Sequence, residues 1–229
     1  MLEIQDCCLI VVDVQGKLAQ LMVDKEVLFK NIRILIQAAQ ILEIPILWCQ
    51  QVPQALGPTV PEIAELLTGL CVEGIPPSNR GQNARDTRVS KPVEPINKAS
   101  FSCCGQEQFN AQLNTLGREQ VLLCGIETHV CIYQTAMDLV AWASRPWNRD
   151  HGQACPERSE RDARATRKRG LDVTILADAV SSRTDQNRQI ALTRLAAEGA
   201  HISSTEMALF ELLKTAQHPH FKEIAKLVK

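Results

Sequence analysis

The chain has 229 residues, 45% of them hydrophobic, and a formal net charge of −1. That is enough apolar material for one sizeable core, and the near-neutral balance gives no electrostatic footprint for nucleic acid or an anionic membrane. No apolar run approaches the roughly 20 residues of a membrane span, and the opening MLEIQDCCLIVVDVQG lacks a basic region, so it reads as a strand rather than an export signal.

The stretch CCLIVVDV (7–14) is short, β-branched and continuously apolar, which predicts a buried central strand. Over 24–42, Val27, Leu28, Ile32, Leu35, Ile36, Ala39 and Leu42 recur at helical spacing behind Asp24, a candidate N-cap. IPILWCQ (44–50) predicts a second strand opened by Pro45, and PEIAELL (61–67) a short helix with Pro61 in its first turn. An extended piece (93–100), a helix (106–116) and the strand QVLLCGI (120–126) follow. A helix then runs from Thr128 to about Ala143. LDVTILADAV (171–180) is another buried strand, 185–198 an amphipathic helix, GAHISST (199–205) a last strand, and 205–214 a helix before a polar amphipathic tail. This alternation predicts a mainly parallel sheet with helices on both faces, and ligands at the carboxyl ends of its strands.

Two stretches break the pattern. Residues 144–169 hold eight Arg or Lys and four acids, without Leu, Ile, Val, Met or Phe, so they can add little to a core. Deleting them joins a helix, Gly170 and the next strand by an ordinary short loop. They are expected to be a solvated insertion; RNA binding by the arginines is the competing reading. Residues 75–92, polar and turn-rich, are expected to be a second insertion in a single domain spanning 1–229.

The nine cysteines include several inside apolar runs (Cys7, Cys8, Cys49, Cys124) and no CxxC pair, which predicts a reduced, cytoplasmic setting and no structural zinc. Asp13 ends the first strand, where partial desolvation raises a carboxylate toward general-base duty; otherwise it caps a turn. Lys98 either neutralises such a carboxylate or is an ordinary surface lysine. Cys131 stands third in a helix capped by Thr128, where unpaired N–H groups and the dipole favour a thiolate and offer an oxyanion site. Cys103 and Cys104 follow Lys98 closely and are further candidates. There is neither a GxGxxG nor a Walker A motif, so no nucleotide is indicated.

In LIVVDVQGKL, QQVPQALGPTVPEI, NKASFSCC, GIETHVCIYQTAMDL, LADAVSSR and HPHFKEI the chain resembles the isochorismatase-like cysteine hydrolases, and within them the isochorismatase-domain-containing proteins. GIETHVC is the most specific of these stretches. The resemblance implies a three-layer α/β/α fold of Rossmann-like topology and an Asp13–Lys98–Cys131 triad. It also implies a cis peptide between Ile126 and Glu127, an oxyanion hole from the N–H groups of Glu127 and Cys131, and pocket lining by Gln15, Gln51 and Phe101. The implied reaction is cleavage of a C–N bond in a small amide, ureide or imide through a thioester. A vinyl-ether or ester hydrolase, or a non-catalytic scaffold, are the alternatives. WCQQVPQALG lacks the histidines of a nicotinamidase metal site, so neither metal nor cofactor is expected. The expected partners are a small-molecule substrate and further copies of the chain in a homo-oligomer.

Overall fold

A computed structural model of the chain describes residues 1–69, 93–142 and 170–229. The expected insertions at 75–92 and 144–169 lie outside the described residues. Six strands form one sheet, β1 (Cys7–Val12), β2 (Ile46–Gln51), β3 (Ile96–Lys98), β4 (Gln120–Ile126), β5 (Asp172–Ser181) and β6 (His201–Ser203). Their order is β3-β2-β1-β4-β5-β6, and every pairing is parallel. Parallel strands need crossover connections, and here helices supply them on both faces.

The pleat of β1 shows why the run of apolar residues is unbroken. Cys7, Leu9 and Val11 enter one core, with Ile32, Leu35 and Ile36 of α2 (Lys25–Ile41) and Leu209 and Leu212 of α8 (Thr205–Leu213). Cys8, Ile10 and Val12 enter the other, with Phe109 and Leu113 of α5 (Glu107–Leu116), Leu139 of α6 (Tyr133–Val140) and Leu195 of α7 (Asp185–Ala197). A strand covered on both faces has no polar positions to alternate. Each buried Leu or Ile contributes about 1.5–3 kcal/mol.

The elements lie within a residue or two of their expected bounds, apart from the helix after Thr128 and the extended piece 93–100, of which only Ile96–Lys98 is strand. Val27, grouped with the apolar stripe of α2, is 53% exposed, because Leu28, Ile32, Leu35, Ile36 and Ala39 already fill the buried face. Asp24 is the N-cap residue of α2, but its φ of 52° is left-handed and its side chain caps nothing. Two helical turns were not foreseen, α1 (Gly16–Gln20) and α3 (Pro53–Leu56). Five and four residues are too short for a period to register. Gly16 is required where they meet, since a Cβ there would lie 2.1 Å from the Leu56 carbonyl oxygen. The remaining helices are α4 (Pro61–Thr68) and α9 (Phe221–Leu227).

The expected cis bond between Ile126 and Glu127 is not found; the described residues contain no cis peptide. Rotations about softer bonds redirect the chain instead. Gly125 takes φ 132°, and Glu127 takes φ −28° and ψ 105°. A Cβ on Gly125 would lie 2.1 Å from the Val12 carbonyl oxygen, so only glycine lets β4 end against β1 in this way. The turn after β4 also starts one residue earlier than expected. Glu127, not Thr128, is the capping position, and Thr128–Ile132 is a single π-helical turn leading into α6. Such turns are frequent at functional sites.

Candidate functional site

In a sheet of this order, β1 and β4 are neighbours whose chains cross over to opposite sides, and the crevice beyond their carboxyl ends is the natural ligand site. Asp13 follows β1 directly, Gln51 ends β2, Lys98 ends β3, and Cys131 lies in the π-turn after β4. The topology thus brings together residues separated by as many as 118 positions in the chain.

Asp13 stands in the left-handed region, φ 56°, with its N–H donating to the Cys49 carbonyl at 3.0 Å. Lys98 Nζ donates to Asp13 Oδ2 at 2.6 Å, and the two side chains are 0% and 3% exposed. The same ammonium faces Gln51 Oε1 at 2.6 Å, the Phe101 carbonyl at 3.0 Å and the Ser100 carbonyl at 3.2 Å. Four acceptors therefore surround three protons. A buried lysine with a carboxylate and three neutral oxygens around it is held as the cation. Burial alone would lower its pKa, but the negative charge of Asp13 more than offsets that and raises it. Burial raises the Asp13 pKa, with Lys98 opposing. One oxygen of the carboxylate is committed to Lys98, while the buried Oδ1 makes no hydrogen bond of regular geometry; the Cys131 thiol and the Gln51 N–H still act on the carboxylate, and both lower its proton affinity.

Cys131 is 7% exposed, and its thiol is electrostatically coupled to both Asp13 and Lys98. The expected lowering of its pKa does not occur. Burial pushes the thiol well up, the Asp13 charge pushes it further, and Lys98 only partly counters them. The helix start offers less help than foreseen, because the Val130 N–H donates to the Glu127 carbonyl at 3.0 Å and that of Ile132 does so at 3.3 Å. Burial thus favours the protonated thiol of Cys131 beside the Asp13 carboxylate over a preformed thiolate.

The expected lining residues divide. Gln15 is 0% exposed and fully engaged with backbone, accepting from the Gln51 N–H at 2.6 Å and donating to the carbonyls of Gln51 (3.1 Å) and Gly57 (2.7 Å). It braces the site rather than lining it. Gln51 is 8% exposed and faces Lys98. Phe101 is 54% exposed, while its carbonyl is pinned by Lys98. Cys103 is buried beside Cys49, and the contact between the two thiols, followed by burial, raises the Cys49 pKa; the Cys103 N–H donates to Thr135 Oγ1 at 3.0 Å, one turn along from Cys131.

A second polar cluster at the carboxyl ends of β4 and β5 escaped the sequence reading. Arg183 Nε donates to Glu127 Oε1 at 2.6 Å, and His129 Nδ1 lies 3.2 Å from Glu127 Oε2 and 3.0 Å from Ser182 Oγ. Glutamate, histidine and serine do not form a proton relay here, because the acid and the hydroxyl meet the same ring nitrogen. No group of three or more His, Cys, Asp or Glu among the described residues could hold a metal ion.

An isochorismatase domain model matches residues 7–141. Isochorismatase domain-containing protein 2 of Danio rerio is 34% identical over 96% of this chain and 85% of its own length. A secreted isochorismatase effector, Isc1 of Phytophthora sojae, is 32% identical over 96% of this chain and 83% of its own. Among solved structures, a MAR1 ribonuclease from Caenorhabditis elegans is 28% identical with a TM-score of 0.74, covering 99% of this chain and 91% of that one. With the fold, the switch-point site and these matches in agreement, the chain belongs to the isochorismatase family and carries its hydrolase fold.

Proposed function

We propose that the protein is a cysteine hydrolase that cleaves a C–N bond of a small amide, ureide or imide, with Cys131 as nucleophile, Asp13 as acid–base and Lys98 as fixed cation. The observation that carries this reading is the pairing of the Cys131 thiol with the Asp13 carboxylate, whose Oδ1 makes no hydrogen bond of regular geometry and whose other oxygen is held by Lys98.

Asp13 takes the thiol proton as Cys131 Sγ bonds to the carbonyl carbon. The N–H groups of Glu127 and Cys131 receive the developing oxyanion. The C–N bond then breaks, and Asp13 gives its proton to the departing amine. Water attacks the thioester with Asp13 again as base, releasing the acid and the thiol. Lys98 stays charged throughout, and every step runs through groups of this chain without metal or cofactor.

The nematode relative is named a ribonuclease, but a chain of net charge −1 has little bulk attraction for a polyanion, which favours small substrates. Seven cysteines are free among the described residues, which suits the reducing cytoplasm.

The test is a screen of small amides and ureides for ammonia release, in wild type and Cys131→Ala. The reading expects release by wild type alone, with an acyl adduct on the Cys131 peptide after acid quench. Equal turnover by Cys131→Ala would overturn it.

A further inference from the structure

We infer that Gln51 is a positioning residue that sets the proton affinity of Asp13 through Lys98, and that Gln15 holds Gln51 in that role. The inference rests on the proposed reading of Asp13 and Cys131 as base and nucleophile.

The argument is one of forced hydrogen-bond polarity. Lys98 Nζ has only donors, so the Gln51 atom 2.6 Å from it is the carbonyl oxygen. The Ala99 carbonyl has only lone pairs, so the Gln51 atom 2.6 Å from it is the amide nitrogen. With both ends assigned, the side-chain amide cannot flip without placing donor on donor and acceptor on acceptor. Gln15 then fixes the backbone from which Gln51 projects. Its own amide meets both the N–H and the carbonyl of Gln51, as a neighbouring strand would, while a second bond to the Gly57 carbonyl ties it to α3. Gly57 follows directly on the α3 turn.

The consequence reaches Asp13. The Lys98 ammonium has three protons for four oxygens, so its position is a compromise among them. Gln51 is a neutral partner as close as Asp13, 2.6 Å in each case. A neutral oxygen there satisfies a proton of Lys98 without adding a charge that would compete with Asp13 for the cation. Replacing it with a carboxylate would make Lys98 serve two anions and raise the proton affinity of Asp13. Replacing it with an alkyl group would leave three oxygens for three protons but strip a polar neighbour from the buried pair, and that added desolvation raises the proton affinity of Asp13 in the same direction.

The experiment is the pH profile of Cys131 alkylation by iodoacetamide, read by peptide mass spectrometry, in wild type, Gln51→Glu, Gln51→Leu and Gln15→Leu. A base paired to a thiol gives a plateau that begins where the base loses its proton. The expected result is a plateau beginning at higher pH by one unit or more in Gln51→Glu, by less in Gln51→Leu, and by least in Gln15→Leu. Gln51→Leu adds no charge and supplies the reading if Gln51→Glu does not fold. A purely structural glutamine would lower Tm and leave the plateau edge in place. A wild-type plateau with unmoved edges in the folded variants overturns the inference and leaves the proposed function standing. A wild type with no plateau overturns both.

Discussion

Two polar clusters sit side by side at the carboxyl edge of the sheet, and they are built on opposite plans. Around β1, β2 and β3, Asp13, Lys98, Gln51 and Gln15 are all buried, and Asp13 Oδ1 is the one side-chain polar atom of the four that makes no hydrogen bond of regular geometry. Around β4 and β5, Glu127 is buried but its partner Arg183 is 57% exposed, and His129 is 23% exposed. The first cluster is a fixed charge arrangement with one vacancy for a proton. The second is an ion pair that water can enter and screen. Glu127 Oε2 is likewise buried without a hydrogen-bond partner, so the clusters differ in the exposure of their cations, and the proposed chemistry is given to the enclosed one.

The contrast is sharpest under substitution of Lys98. Lys98→Met leaves a buried carboxylate with no cation, which costs about 3–5 kcal/mol, or a fall in Tm of roughly 10 °C. Turnover should fall to background, because Asp13 then holds its proton. Urea unfolding and the ammonia assay together check this, and a variant with wild-type stability would mean that the pair is not buried in solution.

An intermediate effect is expected with pH. The folded pKa of Lys98 is raised above its ordinary value of 10.5. Its stabilisation is therefore complete below that pH and is lost as pH rises through the folded value, because the unfolded lysine gives up its proton first. The slope is about 1.4 kcal/mol per pH unit over that window. Buried thiols add in the same sense, Cys7 being pushed up to about 11 and Cys8 to about 12 by desolvation. Unfolding free energies measured from pH 8 to 12 should fall less steeply in Lys98→Met than in wild type. Equal slopes would place Lys98 outside the linkage.

The smallest effect is expected in the second cluster. Arg183→Ala removes a partly exposed partner from Glu127 and should cost about 1 kcal/mol or less, with further weakening by salt in wild type. A loss as large as that from Lys98→Met would erase the distinction between the clusters.

Much of this arrangement was legible in the sequence because it rests on period and punctuation. CCLIVVDV has no polar alternation because both faces of β1 are covered, and GIETHVC places a glycine and a cysteine around one turn. Asp13, Lys98 and Cys131 were legible as strand-end residues of one sheet. What was not legible depends on burial and on contacts distant in sequence. The high proton affinity of Cys131 comes from desolvation and Asp13, neither of which a helix-start pattern records. Gln15 read as lining because its partners, Gln51 and Gly57, are 36 and 42 residues away. Arg183 and Glu127 meet across 56 residues for the same reason.

The central claim is that Asp13 is the base of a Cys131 thiol. The most direct measurement is the pH profile of iodoacetamide labelling over all nine cysteines, in wild type and Asp13→Asn. The account predicts a plateau for Cys131 in wild type, where thiolate and protonated Asp13 form a constant minor population. In Asp13→Asn that plateau should vanish, leaving one rise at alkaline pH. Superimposable profiles for the two proteins would contradict it.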